Sequence, residues 1–317
     1  MKRFPTMTGP GGRRGSAPSF GPGSWLVALP AWGARCARVC SEETLPALRE
    51  ALVELGRPAK VLLYTDSDTL AAVAASQLER AEVERRPVPP GDRSFGSLSA
   101  CHRDAMARAS ANQRVLLLTS DMVLSREVLA TCEAHCARGI RAVAVVAPRA
   151  LEASGAPPGV AGRALLEWAW ENRHPMTREC TWPAGRSYDV WRMYFERDGE
   201  VAARVFLPHP LVVVPAGVRV NFHPTIDVNL LGCFSPSVTY MLTRPEEGAV
   251  VELSPPDKEF LLTTPMRDRL DSGGPSCPPF VRATNARHRM FFGRRVVLRG
   301  AGDDCGDGDV VSRIMGG

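Results

Sequence analysis

Asp66 and Asp121 each follow an unbroken apolar run. Val61-Leu62-Leu63-Tyr64-Thr65 leads into Asp66-Ser67-Asp68, and Val115-Leu116-Leu117-Leu118-Thr119 leads into Ser120-Asp121. A carboxylate at the end of a buried strand suits contacts to a ribose or base, or to a divalent cation that neutralises a diphosphate. The competing role is a helix cap, because Asp satisfies the free N–H groups of a helix start. Both roles stand for Asp66. Ser125 is better placed than Asp121 to cap the helix that follows, which leaves Asp121 for chemistry. A third apolar run, Trp25 to Leu29, ends in the turn Pro30-Ala31-Trp32-Gly33. Pro30, Ala31, Trp32, Gly33, Thr65, Asp66, Ser120 and Asp121 therefore form one candidate set.

The C-terminal half adds His209 between two prolines, and His223 and Asp227 four residues apart in an otherwise apolar HPTID segment. All three are of types that ligate metals or move protons; the plainer roles are a turn carboxylate and half-buried, hydrogen-bonded imidazoles. His174, in the break Arg173-His174-Pro175, is a weaker candidate. Trp168, Trp170, Trp182 and Trp191 are large enough to stack a sugar or base, although tryptophans more often fill cores. Arg178, Arg186 and Arg192 lie near them in sequence and are suited to phosphate. Cys132, His135 and Cys136, and separately Cys36 and Cys40, have helical spacing but lack the tight CxxC knuckle of a zinc site, so free thiols are expected.

These residues need a scaffold, and the apolar pattern supplies one. Strands are expected at 25–29, 60–65, 114–119 and 142–146, with helices at 43–55, 69–84, 98–111 and 125–138 between them. Continuous rather than alternating apolar strands indicate a parallel sheet covered on both faces. After Pro148 the rhythm changes: a helix at 160–172, strands at 202–207 and 211–214, and another at 250–253. The expected fold is α/β and Rossmann-like, a mainly parallel twisted sheet with helices on both faces and an appended α+β portion. The expected organisation is a Gly/Pro/Ser/Arg-rich leader at 1–22, a nucleotide-binding α/β half at 23–150, an acceptor- and metal-side half at 151–262, and a poorly ordered region at 263–317.

Composition narrows the function. The formal net charge of +5 is spread along the chain without an aromatic-interleaved basic stripe, so nucleic acid is not the expected partner. No apolar run approaches the roughly 18 to 20 residues of a membrane span, and the N-terminus lacks the apolar core of an export signal. Nine cysteines, an odd number, then read as reduced thiols in a cytoplasmic protein. No GxGxxG follows the first strand, and neither GxxxxGK[ST] nor GxSxG occurs. Dinucleotide dehydrogenases, P-loop enzymes and elbow-type hydrolases are thereby disfavoured.

The segment VLLLTSDMVL at 115–124 resembles the strand-plus-DxD region of GT-A glycosyltransferases, with Asp121 at the second acidic position and Thr119 at the first. ALPAWGARCARVC (28–40), VLLYTDSD (61–68), VFLPHPLVVVP (205–215), FHPTIDVNLL (222–231) and VELSPPD (251–257) are similar to bacterial proteins of the nucleotide-diphospho-sugar transferase type. The resemblance spans about residues 25–260. It implies a GT-A fold, a nucleotide-sugar donor, an unknown acceptor and a divalent cation, Mn²⁺ or Mg²⁺. It further implies donor contacts from Pro30, Ala31, Trp32, Gly33, Thr65, Asp66 and Ser120, metal contacts from Asp121 and His223, and catalytic work by Asp227 and His209. Thr119 at the first acidic position also keeps open a catalytically silent GT-A-like protein that binds a nucleotide or a partner.

Overall fold

The computed structural model describes residues 23–90, 94–182, 187–188, 192–197, 200–205, 209–216, 240–242, 247–256, 264–265 and 295–299. β1 (Trp25–Pro30) is buried along its whole length. It leads into α1 (Gly33–Val39), a π-helical turn at Cys40–Thr44, and α2 (Leu45–Leu55), with helical backbone angles maintained through both junctions. Leu45, Leu48, Leu52 and Leu55 form the buried stripe of α2. Each such leucine contributes roughly 1.5–3 kcal/mol by leaving water. Gly56 ends the helix at φ +60°, a left-handed angle that glycine adopts without a Cβ penalty.

β2 (Ala59–Tyr64) follows, then α3 (Asp68–Gln77) and β3 (Ala81–Arg86). The expected helix at 69–84 is corrected here. It stops at Gln77, and the chain from Ala81 pairs in parallel with β2 over six residues. β3 reads Ala-Glu-Val-Glu-Arg-Arg and lies at the sheet edge, where one side faces solvent and charged side chains are tolerated. Next come α4 (Ser94–Arg108), β4 (Arg114–Leu117), β5 (Met122–Leu124), α5 (Val128–Ala137), β6 (Ala142–Val145) and β7 (Arg149–Leu151). α6 (Gly162–Glu171), α7 (Pro175–Glu179), β8 (Thr181–Trp182), β9 (Ser187–Tyr188), β10 (Arg192–Arg197), β11 (Glu200–Val205) and β12 (His209–Val213) continue the chain. The last elements are β13 (Tyr240–Leu242), β14 (Val250–Ser254), β15 (Thr264–Pro265) and β16 (Arg295–Arg299).

Among the described residues the main sheet has seven strands in the order β13-β6-β12-β4-β1-β2-β3. β1 pairs in parallel with both β2 and β4. β12 runs antiparallel between β4 and β6, and β13 rejoins β6 in parallel, so six strands share one direction. The fold is α/β with a central, mostly parallel sheet. Residues after 150 complete that sheet through β12 and β13. A three-stranded sheet, β5-β14-β7, adjoins it, and β16-β11-β10-β8 form a further sheet.

The aromatic residues of α6 serve the core. Trp170 is 1% exposed, its ring centroid lies 5.5 Å from that of Tyr194, and the Arg173 guanidinium sits 4.7 Å over its ring. It is therefore not a stacking platform for a ligand. Trp168 packs half-buried against the same core. The side chain of Trp182, and Trp191, lie outside the described residues.

Candidate functional site

The strand order sets a topological switch point at one end of the sheet, the place where open α/β sheets form their crevice. From β1 the chain steps outward to β2 and β3, then returns across the sheet to β4 on the other flank of β1. The two directions diverge between β1 and β4, and ligands of open α/β sheets bind beyond the carboxyl ends of the strands at such a point. The strands reach this edge in register, Pro30 beside Tyr64 and Ala28 beside Leu117. Backbone bonds extend the alignment into the turns: Ala31 N donates to Tyr64 O at 2.9 Å, Leu118 N to Ala28 O at 3.0 Å, and Thr65 N to Arg86 O at 3.1 Å. The turns at 30–33, 65–66 and 119–121 thus emerge side by side.

Asp66 is exposed, and its Oδ1 accepts the Gly33 backbone N–H at 3.3 Å. That bond ties the turn after β2 to the start of α1, where Gly33 takes φ +74°. Asp66 is not the helix cap. Ser67 holds that position, its Oγ accepting from Leu70 N at 3.1 Å, while its own N–H donates to Thr65 Oγ1 at 3.1 Å. Trp32 precedes α1 in an extended conformation, half-buried against the core.

Asp121 is half-buried, and Thr119 Oγ1 donates to its Oδ1 at 2.6 Å. The turn around it is gripped by its backbone: Leu253 N donates to Asp121 O at 2.8 Å, and Thr44 Oγ1 to Ser120 O at 2.8 Å. Ser125, expected to cap α5, does something else. Its Oγ accepts from Ala249 N at 2.9 Å and its N–H donates to Ala249 O at 2.9 Å, fastening the entry of β14 beside β5. α5 begins after Glu127 without a side-chain cap, so Asp121 is not a cap either. The buried Cys40 thiol is pushed up to about 12, first by burial and then by the nearby Cys36 and Asp121 charges.

His209 opens β12 opposite Val145, the last residue of β6, which places it on the same sheet edge as the three turns. The side chain of His209, and the whole of His223 and Asp227, lie outside the described residues, as do Arg186 and the Arg192 side chain. Arg178 is exposed in the last turn of α7. His174 is structural: 1% exposed, its Nδ1 accepts from Met176 N at 3.1 Å and its Nε2 donates to Pro255 O at 2.8 Å. Cys132, His135 and Cys136 are buried on α5, and among the described residues no three His, Cys, Asp or Glu side chains gather as a metal cluster.

Two residues behind the crevice carry little sequence signal. His102, on α4, is fully buried and its Nε2 donates to Leu118 O at 2.9 Å, one residue before Thr119. Burial pushes its pKa down to about 4. Thr44 sits in the π-turn, marked in the sequence only by Pro46 two positions later. Arg35 and Arg38 of α1 point elsewhere. Both hold the Glu152 carboxylate, at 2.6 and 2.9 Å, and pin α1 to the segment after β7.

The chemistry available at this edge is that of hard oxygen donors. A carboxylate and a hydroxyl at 119–121, completed by ligand phosphates and water, fit the preference of Mg²⁺ or Mn²⁺ for one or two carboxylates plus phosphate oxygens.

No family model and no curated protein matches the sequence. Among solved structures, S. aureus TarS aligns at 16% identity over 40% of this chain and 22% of its own, with a TM-score of 0.29. Mouse xyloside xylosyltransferase 1 aligns at 13% identity over 39% of this chain and 52% of its own, with a TM-score of 0.30. HddC from Yersinia pseudotuberculosis aligns at 10% identity over 72% of this chain and 93% of its own, with a TM-score of 0.34. The chain spans about a fifth to a half of the length of the first two. These overlaps are partial and the α/β fold stands on the strand order described above.

Proposed function

We propose that the chain is a GT-A-type glycosyltransferase that moves a sugar from a nucleoside-diphosphate donor to an acceptor with a divalent cation, Mn²⁺ or Mg²⁺. The observation that carries this reading is the convergence of the 30–33, 65–66 and 119–121 turns, with two carboxylates, at the switch point of a parallel sheet. Pro30, Ala31, Trp32, Gly33, Thr65, Asp66 and Ser120 hold the nucleoside side of the donor. Asp121, its Oδ1 oriented by Thr119, and His223 hold the cation, which supplies neutralisation of the leaving diphosphate. Asp227 and His209 are assigned to catalysis, on the donor or the metal, and a carboxylate such as Asp227 is suited to take the acceptor hydroxyl proton.

One observation favours a second reading, a silent GT-A-like binding protein. The first acidic position is Thr119, and its hydroxyl is engaged by Asp121. Thermal shifts with UDP-GlcNAc, UDP-glucose, GDP-mannose, ADP-glucose and dTDP-glucose, with and without Mn²⁺, test both. A Mn²⁺-dependent shift with one donor, followed by donor hydrolysis or transfer, supports the enzyme. A shift without turnover supports the silent protein in its nucleotide-binding form, and no shift with any donor removes the enzyme and leaves the silent, partner-binding form.

A further inference from the structure

The helix from Gly33 to Leu55 carries a π-turn at Cys40–Thr44, where the Leu45 N–H reaches back five residues to Cys40 O. Pro46 gives the local cause. It has no N–H to offer Glu42 O, so the α-helical ladder is already broken at this point, and an extra residue is accommodated as a wider turn. Removing one residue from such a bulge would rotate the flanking helix by roughly 100°. The consequence of the bulge is visible at Thr44. This side chain is fully buried, and its hydroxyl donates across the core to Ser120 O at 2.8 Å, a residue 76 positions later. Next to it, Glu43 Oε2 accepts the Ala156 N–H at 2.9 Å, so the bulge holds two separate loops.

We propose that Thr44, presented by the π-turn, is a positioning residue that fixes the turn bearing Asp121. The turn is clamped from two sides, by Thr44 on Ser120 O and by Leu253 N on Asp121 O. With Ser120 O held, the Asp121 carboxylate and the Thr119 hydroxyl keep one mutual geometry, an oxygen pair that would need no reordering to hold a cation. Thr44 itself touches no ligand. The inference rests on the proposed function of the crevice, and the test separates the two.

Thr44→Val keeps the shape and removes the donor, whereas Thr44→Ser keeps the donor and removes a methyl. Thr177→Val is the matched control, since the buried Thr177 hydroxyl also donates to a backbone carbonyl, Arg149 O at 3.1 Å, on α7 rather than in the turn. The affinities of UDP, GDP, CDP, ADP and dTDP are measured by calorimetry with and without Mn²⁺. Thr44→Val should weaken the Mn²⁺-dependent affinity about tenfold, the scale of one buried hydrogen bond, and leave the metal-free affinity unchanged. Thr44→Ser should match the wild type, and Thr177→Val should melt lower but bind normally. If Thr44→Val does not fold, Thr44→Ala carries the same comparison. Equal Mn²⁺-dependent affinity in the hydroxyl-less variant, or Thr44→Ser as weak as Thr44→Val, overturns the role of Thr44 alone. A wild type that binds none of the five with Mn²⁺ overturns the proposed function and this inference with it.

Discussion

Replacing His102 with Gln should flatten the acid limb of the stability profile. His102 is fully buried beneath the 118–121 turn; its Nε2 donates to Leu118 O, and its Nδ1 has no hydrogen-bond partner among the described residues. A proton on Nδ1 would place a charge in the core with nothing to receive it, and burial accordingly lowers the pKa from 6.5 to about 4. Above pH 6.5 the imidazole is neutral in the folded and unfolded chains and contributes no pH dependence. Below it the unfolded chain binds a proton that the folded chain refuses, so stability falls as pH falls, until the folded pKa near 4 is reached. At ~1.4 kcal/mol per pH unit the full loss is about 3 kcal/mol, and roughly 2 kcal/mol of it falls between pH 7 and pH 5. Gln keeps an amide N–H for Leu118 O and has no proton to gain. Urea unfolding of both proteins at pH 8, 7, 6 and 5 measures the difference. The wild type should lose about 2 kcal/mol more than the variant between pH 7 and 5. Parallel profiles would show that His102 is protonated in the folded chain without penalty, and the reasoning from burial would fail.

Three further outcomes are expected. Asp121→Asn should melt within a few degrees of the parent, because Asp121 caps no helix, yet lose Mn²⁺-dependent nucleoside-diphosphate binding; calorimetry with equal affinities in both proteins would take Asp121 out of the site. Asp66→Ala frees the Gly33 N–H at an exposed position, so stability should change by about 0.5 kcal/mol or less while nucleotide affinity falls with or without metal, and unchanged affinity would detach the 65–66 turn from the nucleoside. Gly248→Ala should cost about 2–4 kcal/mol, since Gly248 has φ +141° and a Cβ there would meet Val128 Cα at 2.6 Å; a melting temperature near that of the parent would contradict this close approach.

The apolar runs determined the central strands β1, β2, β4 and β6, and the turn chemistry after the first three marked the sheet edge to inspect. Those features are local: a strand buried on both faces must be apolar throughout, and the residues that end it are read directly from the sequence. β3 escaped the same reading because an edge strand needs no apolar pattern. Its charged side chains are exposed at Glu82 and Arg85 and half-buried at Glu84 and Arg86 while its backbone pairs with β2, and pairing partners are not written in a six-residue segment. The direction of β12 was likewise invisible, since an apolar run has the same composition whether it enters a sheet parallel or antiparallel. At the site, residue types nominated Asp66 and Asp121, but a carboxylate after a strand can cap a helix or face a ligand. Only the tertiary structure removed the cap role, by giving the cap of α3 to Ser67, Ser125 to β14, and Asp66 to the Gly33 N–H across a gap of 33 residues. Thr44 and His102 depended on tertiary structure altogether. A buried hydroxyl or imidazole acquires its role from the carbonyl it meets, and Ser120 O and Leu118 O reach them only after the chain has crossed the sheet from β3 to β4.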